Sequence, residues 1–291
     1  MVRHSAAFFD LDKTIVAKSS ALAFGRPLFR EGLLERRDVV KAAYGQLVYR
    51  LGGTGPEHMD RTRDYLAELS RGWPAHRVRA VVTEALGDLI RPYVYAEAAA
   101  LVEAHAAAGR EVVLVSASGT DIVAPIAEML GIREVIATRL SVDGDGLYTG
   151  EVEFYAAGEA KAGAIREFAS ERGIDLDASF AYSDSHRDEP MLRAVGRPRV
   201  VNGDRALRRT AAAEGWPVLS FRAPVPLGRR VGQGERSRLL GGLALASVGL
   251  WAWRRLRSAE ASRASLLDSE FYRIIYDTKS VSIVVSEYNP W

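Results

Sequence analysis

Short apolar runs alternate with helical segments through most of this 291-residue chain. The runs at residues 6–9, 111–115 and 180–183 have the length and composition of buried strands. Amphipathic or Ala-rich stretches of helical length lie between such runs. Strands that alternate with helices in this way build a parallel, doubly wound sheet, so the pattern predicts an α/β, Rossmann-like fold.

Two of the predicted strands end in a pair of aspartates. The first strand runs into Asp10 and Asp12, and a later one runs into Asp184, with Asp188 four residues further on. In a doubly wound sheet these strand ends face the crevice that binds ligands. Crowded carboxylates cost free energy unless a cation or a shared proton offsets their charge. The pattern therefore favours a site, although an Asp-rich loop is the alternative for either pair alone.

Ser116 and Lys161 extend this set of polar residues. Ser116 follows the strand at 111–115 and is close in sequence to a glycine, which suits the binding of an anion. A strand-to-helix turn is the alternative interpretation. Lys161 stands near the start of a predicted helix in a chain with only five lysines. Its compact charge suits a phosphate or a crowded carboxylate, and an ordinary surface lysine is the alternative.

The combined set indicates phosphoryl chemistry that depends on a metal ion. Clustered carboxylate oxygens are ligands that Mg²⁺ prefers, together with water and substrate phosphate. A hydroxyl and an ammonium beside them suit a phosphoryl group. Aspartate side chains are known nucleophiles in phosphoryl transfer, and neutralising the charge of the transferred group is then the main catalytic effect. His186 lies inside the second aspartate cluster, but a hard-oxygen site does not require an imidazole ligand.

The order of these motifs resembles that of the haloacid dehalogenase-like (HAD) superfamily. The resemblance is to subfamily IB, the branch that contains the phosphoserine phosphatases, and it covers roughly residues 5 to 220. The first motif is matched by the stretch from Asp10 to Thr14, the second by Ser116, the third by Lys161 and the fourth by Asp184 with Asp188.

The resemblance implies a role for each matching residue. Asp10 would be the nucleophile, and Asp12 would protonate the leaving oxygen and then activate water. Mg²⁺ would be held by Asp10, the backbone carbonyl of Asp12, and Asp184. The phosphoryl oxygens would be bound by Ser116 and Lys161, and Asp188 would orient Lys161 or a metal-bound water.

A helical insertion follows the first strand. Residues 17–95 carry helical patterns that no strand-like alternation interrupts. We predict a helical cap here, inserted into a HAD core formed by residues 1–16 and 96–222; a helical layer of the core is the alternative. The resemblance implies that closure of the cap excludes water and selects the substrate.

One position departs from the pattern of the phosphoserine phosphatases. Their glutamate, which binds the amino group of the substrate, corresponds to Ser19 here, with Lys18 beside it and no acid between Asp12 and Glu31. A neutral hydroxyl loses the charge-assisted bond to an ammonium. We therefore predict a phosphatase for a small or lipid-derived phosphomonoester, with Lys18 and Ser19 as candidate substrate contacts. The alternatives are a phosphoserine phosphatase proper, a phosphotransferase and a non-catalytic, membrane-attached regulator.

The carboxyl-terminal part has a different character. Residues 223–238 form a basic linker, residues 239–257 include a run rich in Leu, Ala and Gly that ends in two tryptophans, and residues 258–291 form a tail. The apolar run is slightly short for a membrane span, yet its flanking arginines and its tryptophans suit a membrane interface. A helix that packs on the core is an equally good interpretation. The tail is given no function, although part of it is β-prone and suits an edge strand.

Composition excludes some classes of protein. The net charge of +2 and the pI near 8.8 are too mild to indicate nucleic-acid binding. The chain has no cysteine, so it has no disulfide framework. The amino terminus does not have the long apolar segment of a signal peptide. We therefore expect a cytoplasmic protein with a small-molecule or lipid substrate, in contact with a membrane only through residues 239–257.

Overall fold

The computed structural model describes residues 4–34, 63–64, 67–222 and 284–286. The predicted linker at 223–238, the apolar segment at 239–257 and most of the tail lie outside the described residues, as does much of the predicted cap. Within the described residues, no helix is long and apolar enough to cross a membrane. Membrane contact through residues 239–257 therefore stays a prediction.

The described strands form one sheet in the order β4-β3-β2-β1-β5-β6-β7-β8. The pairs β3–β4 and β7–β8 are antiparallel and all other neighbours are parallel, which confirms the predicted α/β fold with a mostly parallel sheet. The strands are β1 (Ala6–Asp10), β2 (Glu111–Gly119), β3 (Glu134–Val142), β4 (Tyr148–Phe154), β5 (Phe180–Ser183), β6 (Arg197–Val201), β7 (Val218–Ser220) and β8 (Val284–Ser286).

Helices lie between most of these strands, close to the positions that periodicity predicts. Short 3₁₀ turns occur at Arg91–Tyr93, Leu176–Ala178 and His186–Asp188. The α-helices are α1 (Ser20–Ala23), α2 (Gly25–Arg30), α3 (Ala75–Leu89), α4 (Ala96–Ala107), α5 (Thr120–Met129), α6 (Gly158–Arg172), α7 (Glu189–Arg193) and α8 (Arg205–Glu214).

Strand β1 is buried on both faces, which explains why its sequence is continuously apolar. On one face, Phe8 packs in the core with residues of α6, α7 and α8. On the other face, the Phe9 ring stacks on Tyr182 of β5 at a centroid distance of 4.3 Å and meets His105 of α4 edge-on. The strand is therefore held rigidly from both sides up to its last residue, Asp10.

Successive strands are added on one side of β1 and then on its other side. Strands β2, β3 and β4 lie on one side of it, and β5, β6 and β7 lie on the other. Asp10 pairs with Val115 of β2, while Phe9 pairs with Tyr182 of β5. This register brings the ends of β2 and β5 beside Asp10, at the switch point where open α/β sheets bind ligands.

Two sets of backbone contacts attach the predicted cap to the core. Where the chain enters and leaves it, Val16 and Val94 form an antiparallel bridge, and the Tyr95 N–H donates to the Ile15 carbonyl at 2.9 Å. Further along, residues 72–75, just before and at the start of α3, pair with the β3–β4 hairpin: the Tyr148 N–H donates to the carbonyl of Trp73 at 3.0 Å. Val94 and residues 72–75 lie within the predicted cap, and these contacts join them to residues of the predicted core.

Candidate active site

A tight loop carries the chain out of β1. The N–H groups of Ile15 and Val16 both donate to the Leu11 carbonyl at 3.0 Å, and the Lys13 N–H donates to the Val16 carbonyl at 2.6 Å. Lys13 has a φ of 62°, in the left-handed region that costs a non-glycine residue roughly 1–2 kcal/mol. The loop places Asp12 and Thr14 close to Asp10, and the Thr14 hydroxyl donates to Asp10 Oδ2 at 3.3 Å.

The structure brings three of the predicted residues into direct contact. Lys161 Nζ donates to Asp10 Oδ1 at 2.7 Å and to Asp188 Oδ1 at 2.9 Å. Lys161 lies in the first turns of α6, where the alternative was a surface lysine, but its exposed fraction is only 1%. Lys161 therefore links Asp10 of the first motif to Asp188 of the fourth motif, although these two residues are 178 positions apart in sequence.

Burial and pairing act on this lysine in opposite directions. Burial alone would lower the pKa of Lys161, but the carboxylates of Asp10 and Asp188 raise it above its ordinary value. Lys161 is therefore a permanent cation in this site. It neutralises part of the carboxylate charge and presents N–H donors to an anion.

Negative charge nevertheless exceeds positive charge in the site. Burial raises the pKa of Asp10 to about 8, and the attraction of Lys161 offsets this only in part. Burial also raises the pKa of Asp184 to about 6, although Lys13 acts in the other direction. Two carboxyl groups thus hold their protons more tightly than usual, chiefly because they are buried, and the nearby lysines offset this only in part.

The Asp12 side chain is held from the start of the predicted cap. The Ser20 N–H donates to Asp12 Oδ1 at 2.8 Å. Burial raises the pKa of Asp12, while this N–H and the hydroxyls of Ser19 and Ser20 lower it. Ser19, a predicted substrate contact, therefore lies close to Asp12, immediately before α1.

Ser116 lies next to this group at the end of β2. It follows Val115, the partner of Asp10 in the sheet, and its exposed fraction is 2%. Its Oγ accepts the Ser118 N–H at 3.2 Å, and the hydroxyls of Ser118 and Ser20 are 3.2 Å apart. The last residues of β2 are thereby connected both to Ser116 and to the start of α1.

Hydrogen bonds from Ser183 and Asp204 hold the residues of the fourth motif. The Ser183 hydroxyl donates to Asp188 Oδ2 at 2.6 Å, which fixes the carboxylate that contacts Lys161. The Asp204 N–H donates to the Asp184 carbonyl at 2.8 Å, and Asp204 Oδ2 accepts from both the N–H and Nδ1 of His186 at 2.9 Å. Since a carboxylate only accepts, His186 carries a proton on Nδ1.

Lys18, a predicted substrate contact, lies beside an aromatic ring, and its role toward a substrate stays a prediction. Its Nζ lies 3.4 Å from the ring centroid of Tyr93, on the segment that returns from the predicted cap, and partial burial lowers its pKa. Among the described contacts, Lys18 forms no hydrogen bond or ion pair with the four aspartates. The structure therefore connects Lys18 with Tyr93 rather than with the aspartate cluster.

The donors present suit a magnesium ion. No group of three or more acidic, histidine or cysteine side chains in the described ranges is arranged to hold a metal. The predicted set, however, needs only two carboxylates, Asp10 and Asp184, with the Asp12 carbonyl and waters. These are hard oxygen donors of the kind that Mg²⁺ prefers. Burial raises the pKa of both carboxyl groups, and a cation held between carboxylates is one way to offset the cost of keeping them ionised.

Several residues of the site were not singled out from sequence. Thr14, Ser20, Ser118, Ser183 and Asp204 all contact a predicted residue or the segment that holds one. Thr14 and Ser183 were recognisable as neighbours of the aspartate pairs. No sequence signal marks Ser20, Ser118 or Asp204, because their role depends on contacts between distant loops.

The chain belongs to the haloacid dehalogenase-like hydrolase family, which it matches over residues 7–193. It is 54% identical over 227 residues to the "Inhibition of morphological differentiation protein" of Streptomyces azureus, covering 78% of this chain and 82% of that one. A protein named "Probable phosphatase" in Mycobacterium tuberculosis is also 54% identical over 227 residues, covering 78% and 79%. Phosphoserine phosphatase SerB1 of M. tuberculosis is 33% identical over 220 residues, covering 75% and 71%.

Solved structures share the fold. A protein of unknown function from Bordetella pertussis Tohama I superposes with a TM-score of 0.67 at 30% identity, over 75% of this chain and 98% of that one. A phosphoserine phosphatase in its apo form gives a TM-score of 0.52 at 21% identity, over 77% and 96%. The second likeness concerns the fold alone.

Proposed function

We propose that this protein is a Mg²⁺-dependent phosphomonoester hydrolase that works through an aspartyl-phosphate on Asp10. The observation that carries the proposal is the buried contact of Lys161 with both Asp10 and Asp188, at 2.7 and 2.9 Å. An ammonium at that point holds Asp10 in place for attack and stabilises the negative charge of the transferred group. The names of two relatives, a probable phosphatase and a phosphoserine phosphatase, support the same class.

In the first step, an oxygen of Asp10 attacks the substrate phosphorus while the ester P–O bond breaks. Asp12 gives its proton to the departing oxygen, so that the products are an alcohol and a phosphorylated Asp10. The phosphoryl oxygens receive hydrogen bonds from Lys161 and from the Ser116 hydroxyl. When bound, Mg²⁺ would supply positive charge between Asp10, the Asp12 carbonyl and Asp184, which favours ionised Asp10 at neutral pH.

In the second step, Asp12 removes a proton from water, and the resulting oxygen attacks the phosphorus of the aspartyl-phosphate. The P–O bond to Asp10 breaks, which releases inorganic phosphate and restores the carboxylate. Asp12 therefore gives a proton in one step and recovers it in the other. Its raised pKa suits both tasks, because a buried carboxyl group exchanges protons closer to neutral pH than an exposed one.

The Asp184→Asn variant tests the proposed metal site. Since burial raises the pKa of Asp184 from 3.8 to about 6, the folded protein without Mg²⁺ loses stability relative to the unfolded chain as the pH rises between these values. Above pH 6 the loss amounts to as much as about 3 kcal/mol. The variant should therefore be more stable than the wild type at pH 8 without Mg²⁺, and close to it at pH 4. Thermal melts at several pH values measure the difference.

The same melts with added Mg²⁺ test the role of Asp184 as a ligand. Mg²⁺ should raise the melting temperature of the wild type and have little effect on Asp184→Asn, because ligand binding to the folded state stabilises it. Asp145→Asn, in the exposed turn of the β3–β4 hairpin, is the matched control and should respond like the wild type. An equal Mg²⁺ effect in wild type and Asp184→Asn would remove Asp184 from the metal site.

For the substrate, we propose a small or lipid-derived phosphomonoester other than phosphoserine. Ser19 lies at the start of the predicted cap, close to Asp12, and offers no charge to an ammonium group. In a panel of phosphoserine, phosphocholine, glycerol phosphate and lysophosphatidate, with and without Mg²⁺, phosphoserine should be a poor substrate. Activity that needs no divalent cation would contradict the metal dependence.

Introducing a carboxylate at position 19 sharpens this substrate test. Ser19→Glu should raise kcat/KM for phosphoserine by about tenfold, the effect of one charge-assisted hydrogen bond of about 1.4 kcal/mol. Ser19→Gln is nearly the same size without the charge and should give no such gain. Selective, efficient hydrolysis of phosphoserine by the wild type would overturn the proposal about the substrate and leave the phosphatase class intact.

The same experiments test two alternative functions. A phosphotransferase would pass the phosphoryl group from Asp10 to an acceptor other than water, so phosphate release would depend on that acceptor. A non-catalytic regulator would hydrolyse no member of the panel. The motif residues are all present, which favours an enzyme.

A further inference from the structure

We infer that the backbone N–H of Ser20 positions Asp12, so that the start of the predicted cap aligns the group that protonates the leaving oxygen. The inference rests on the proposed function, because it assigns Ser20 a part in the proton transfer proposed for Asp12. The carrying observation is the 2.8 Å hydrogen bond from the Ser20 N–H to Asp12 Oδ1.

The hydrogen bond between Ser20 and Asp12 is buried, and Ser20 also contacts a second polar side chain of the site. The exposed fraction of Ser20 is 0%, so water does not readily replace its N–H as the partner of Asp12. Its hydroxyl lies 3.2 Å from that of Ser118 near the end of β2, and the Ser118 N–H donates to the Ser116 hydroxyl. Ser20 thus touches the proton-transfer group and also a direct neighbour of Ser116, which is proposed to bind the phosphoryl oxygens.

The hydrogen bond restricts rotation of the Asp12 carboxyl group. With Oδ1 engaged by the Ser20 N–H, that oxygen is held in place and the other carboxyl oxygen has a narrower range of positions. Proton transfer requires a short and aligned path to the departing oxygen, and a misplaced donor loses much of its effect. When the ester P–O bond breaks, the proton moves from Asp12 to the alkoxide or phenoxide oxygen, which leaves Asp12 as a carboxylate that still accepts the Ser20 N–H.

The local backbone allows this N–H to be removed by a single substitution. Ser20 is the first residue of α1, a position where proline is tolerated because its φ suits a helix start. Ser19 before it has φ −73° and ψ 122°, in the extended region that a following proline requires. Ser20→Pro therefore suits the local backbone and removes the N–H donor, and because the proline ring occupies the direction in which the N–H pointed, Asp12 must turn away from its present position.

The readout is the dependence of kcat/KM on the leaving group. Phenyl phosphate and p-nitrophenyl phosphate are similar in shape, but phenoxide is much more basic than p-nitrophenoxide and needs a proton as it leaves. The quantity kcat/KM covers the steps up to phosphoryl transfer to Asp10 and is not affected by slow hydrolysis of the intermediate. Ser20→Pro should lower kcat/KM for phenyl phosphate by about tenfold more than for p-nitrophenyl phosphate.

Two control variants separate the N–H from other effects of the substitution. Ser20→Ala removes the hydroxyl, which also hydrogen-bonds to Asp12, but keeps the N–H, so it should change the ratio between the two substrates less than Ser20→Pro does. Ala96→Pro places proline at the first residue of α4, where the preceding Tyr95 has φ −65° and ψ 129°, and should leave the ratio between the substrates unchanged. Asp12→Asn, which removes the proton donor, should show the same preference as Ser20→Pro in a stronger form.

The outcomes for the variants distinguish failure of the role of Ser20 from failure of the proposed function. A similar loss on both substrates with Ser20→Pro, or no loss, overturns the role of Ser20. If Asp12→Asn shows no leaving-group preference, or if Asp10→Asn retains activity, the proposed function fails instead. Should Ser20→Pro not fold, the amide of Ser20 in protein labelled with ¹⁵N-serine provides the test: its ¹H shift should move on Asp12→Asn, and an unchanged shift contradicts the inference.

Discussion

Asp10→Asn should abolish hydrolysis of every phosphomonoester that the wild type accepts, with a loss in kcat of at least about 10³-fold. The amide keeps the shape of the side chain and an oxygen that can accept from Lys161, but it is not a nucleophile toward phosphorus. No phosphorylated protein should form either. Rapid mixing with ³²P-labelled substrate, followed by acid quenching, measures the phosphorylated fraction directly.

The fold of this variant should remain intact, because Asp188 continues to pair with Lys161. Circular dichroism and a thermal melt check this point. Asp145→Asn again serves as the control and should retain wild-type turnover. Phosphorylation of Asp10→Asn, or turnover near the wild-type rate, would exclude Asp10 as the nucleophile.

Lys161→Met should cause both a large loss of activity and a large loss of stability. The substitution leaves the carboxylates of Asp10 and Asp188 buried without the ammonium that contacts both. Breaking a buried ion pair from one side typically costs about 3–5 kcal/mol, because the remaining charge is uncompensated. At pH 8 the free energy of unfolding, measured with urea, should fall by about that amount. The kcat should fall by at least about 10²-fold.

A double variant separates the two effects. Lys161→Met with Asp188→Asn has one buried charge fewer and should recover part of the lost stability, but no activity, because the phosphoryl group still lacks its cation. Arg166→Met, on the exposed side of α6, is the control and should change stability by no more than about 0.5 kcal/mol. If the double variant is no more stable than Lys161→Met, charge imbalance is not the reason for the loss.

The elements of this fold were predictable because each has a strong local signal. The continuous apolar run before Asp10 requires burial on both faces, and only a central strand between two helical layers provides it. The helix at Ala75–Leu89 and the turn between β3 and β4 agree with their amphipathic spacing and their Asp-Gly sequence. Strand β3 continues to Val142 because its second half pairs with β4.

The partners of the site residues were less accessible from sequence. The aspartate pairs stood out because crowded acids are unusual, and Lys161 stood out in a chain dominated by arginine. Its double contact with Asp10 and Asp188, in contrast, depends on how α6 packs on the sheet. The contact between Lys18 and Tyr93 is of the same kind, since residues 75 positions apart meet only through the folded chain.

The two backbone attachments of the predicted cap also have a consequence for divergence within the family. The bridge between Val16 and Val94 joins the two ends of the insertion. The pairing of residues 72–75 with the β3–β4 hairpin attaches the insertion to the core at a second place. Both attachments are made by backbone groups, which every amino acid except proline supplies in full. We therefore expect substitutions at Val94 and at residues 72–75 to change side chains while the segment stays joined to the core at these points.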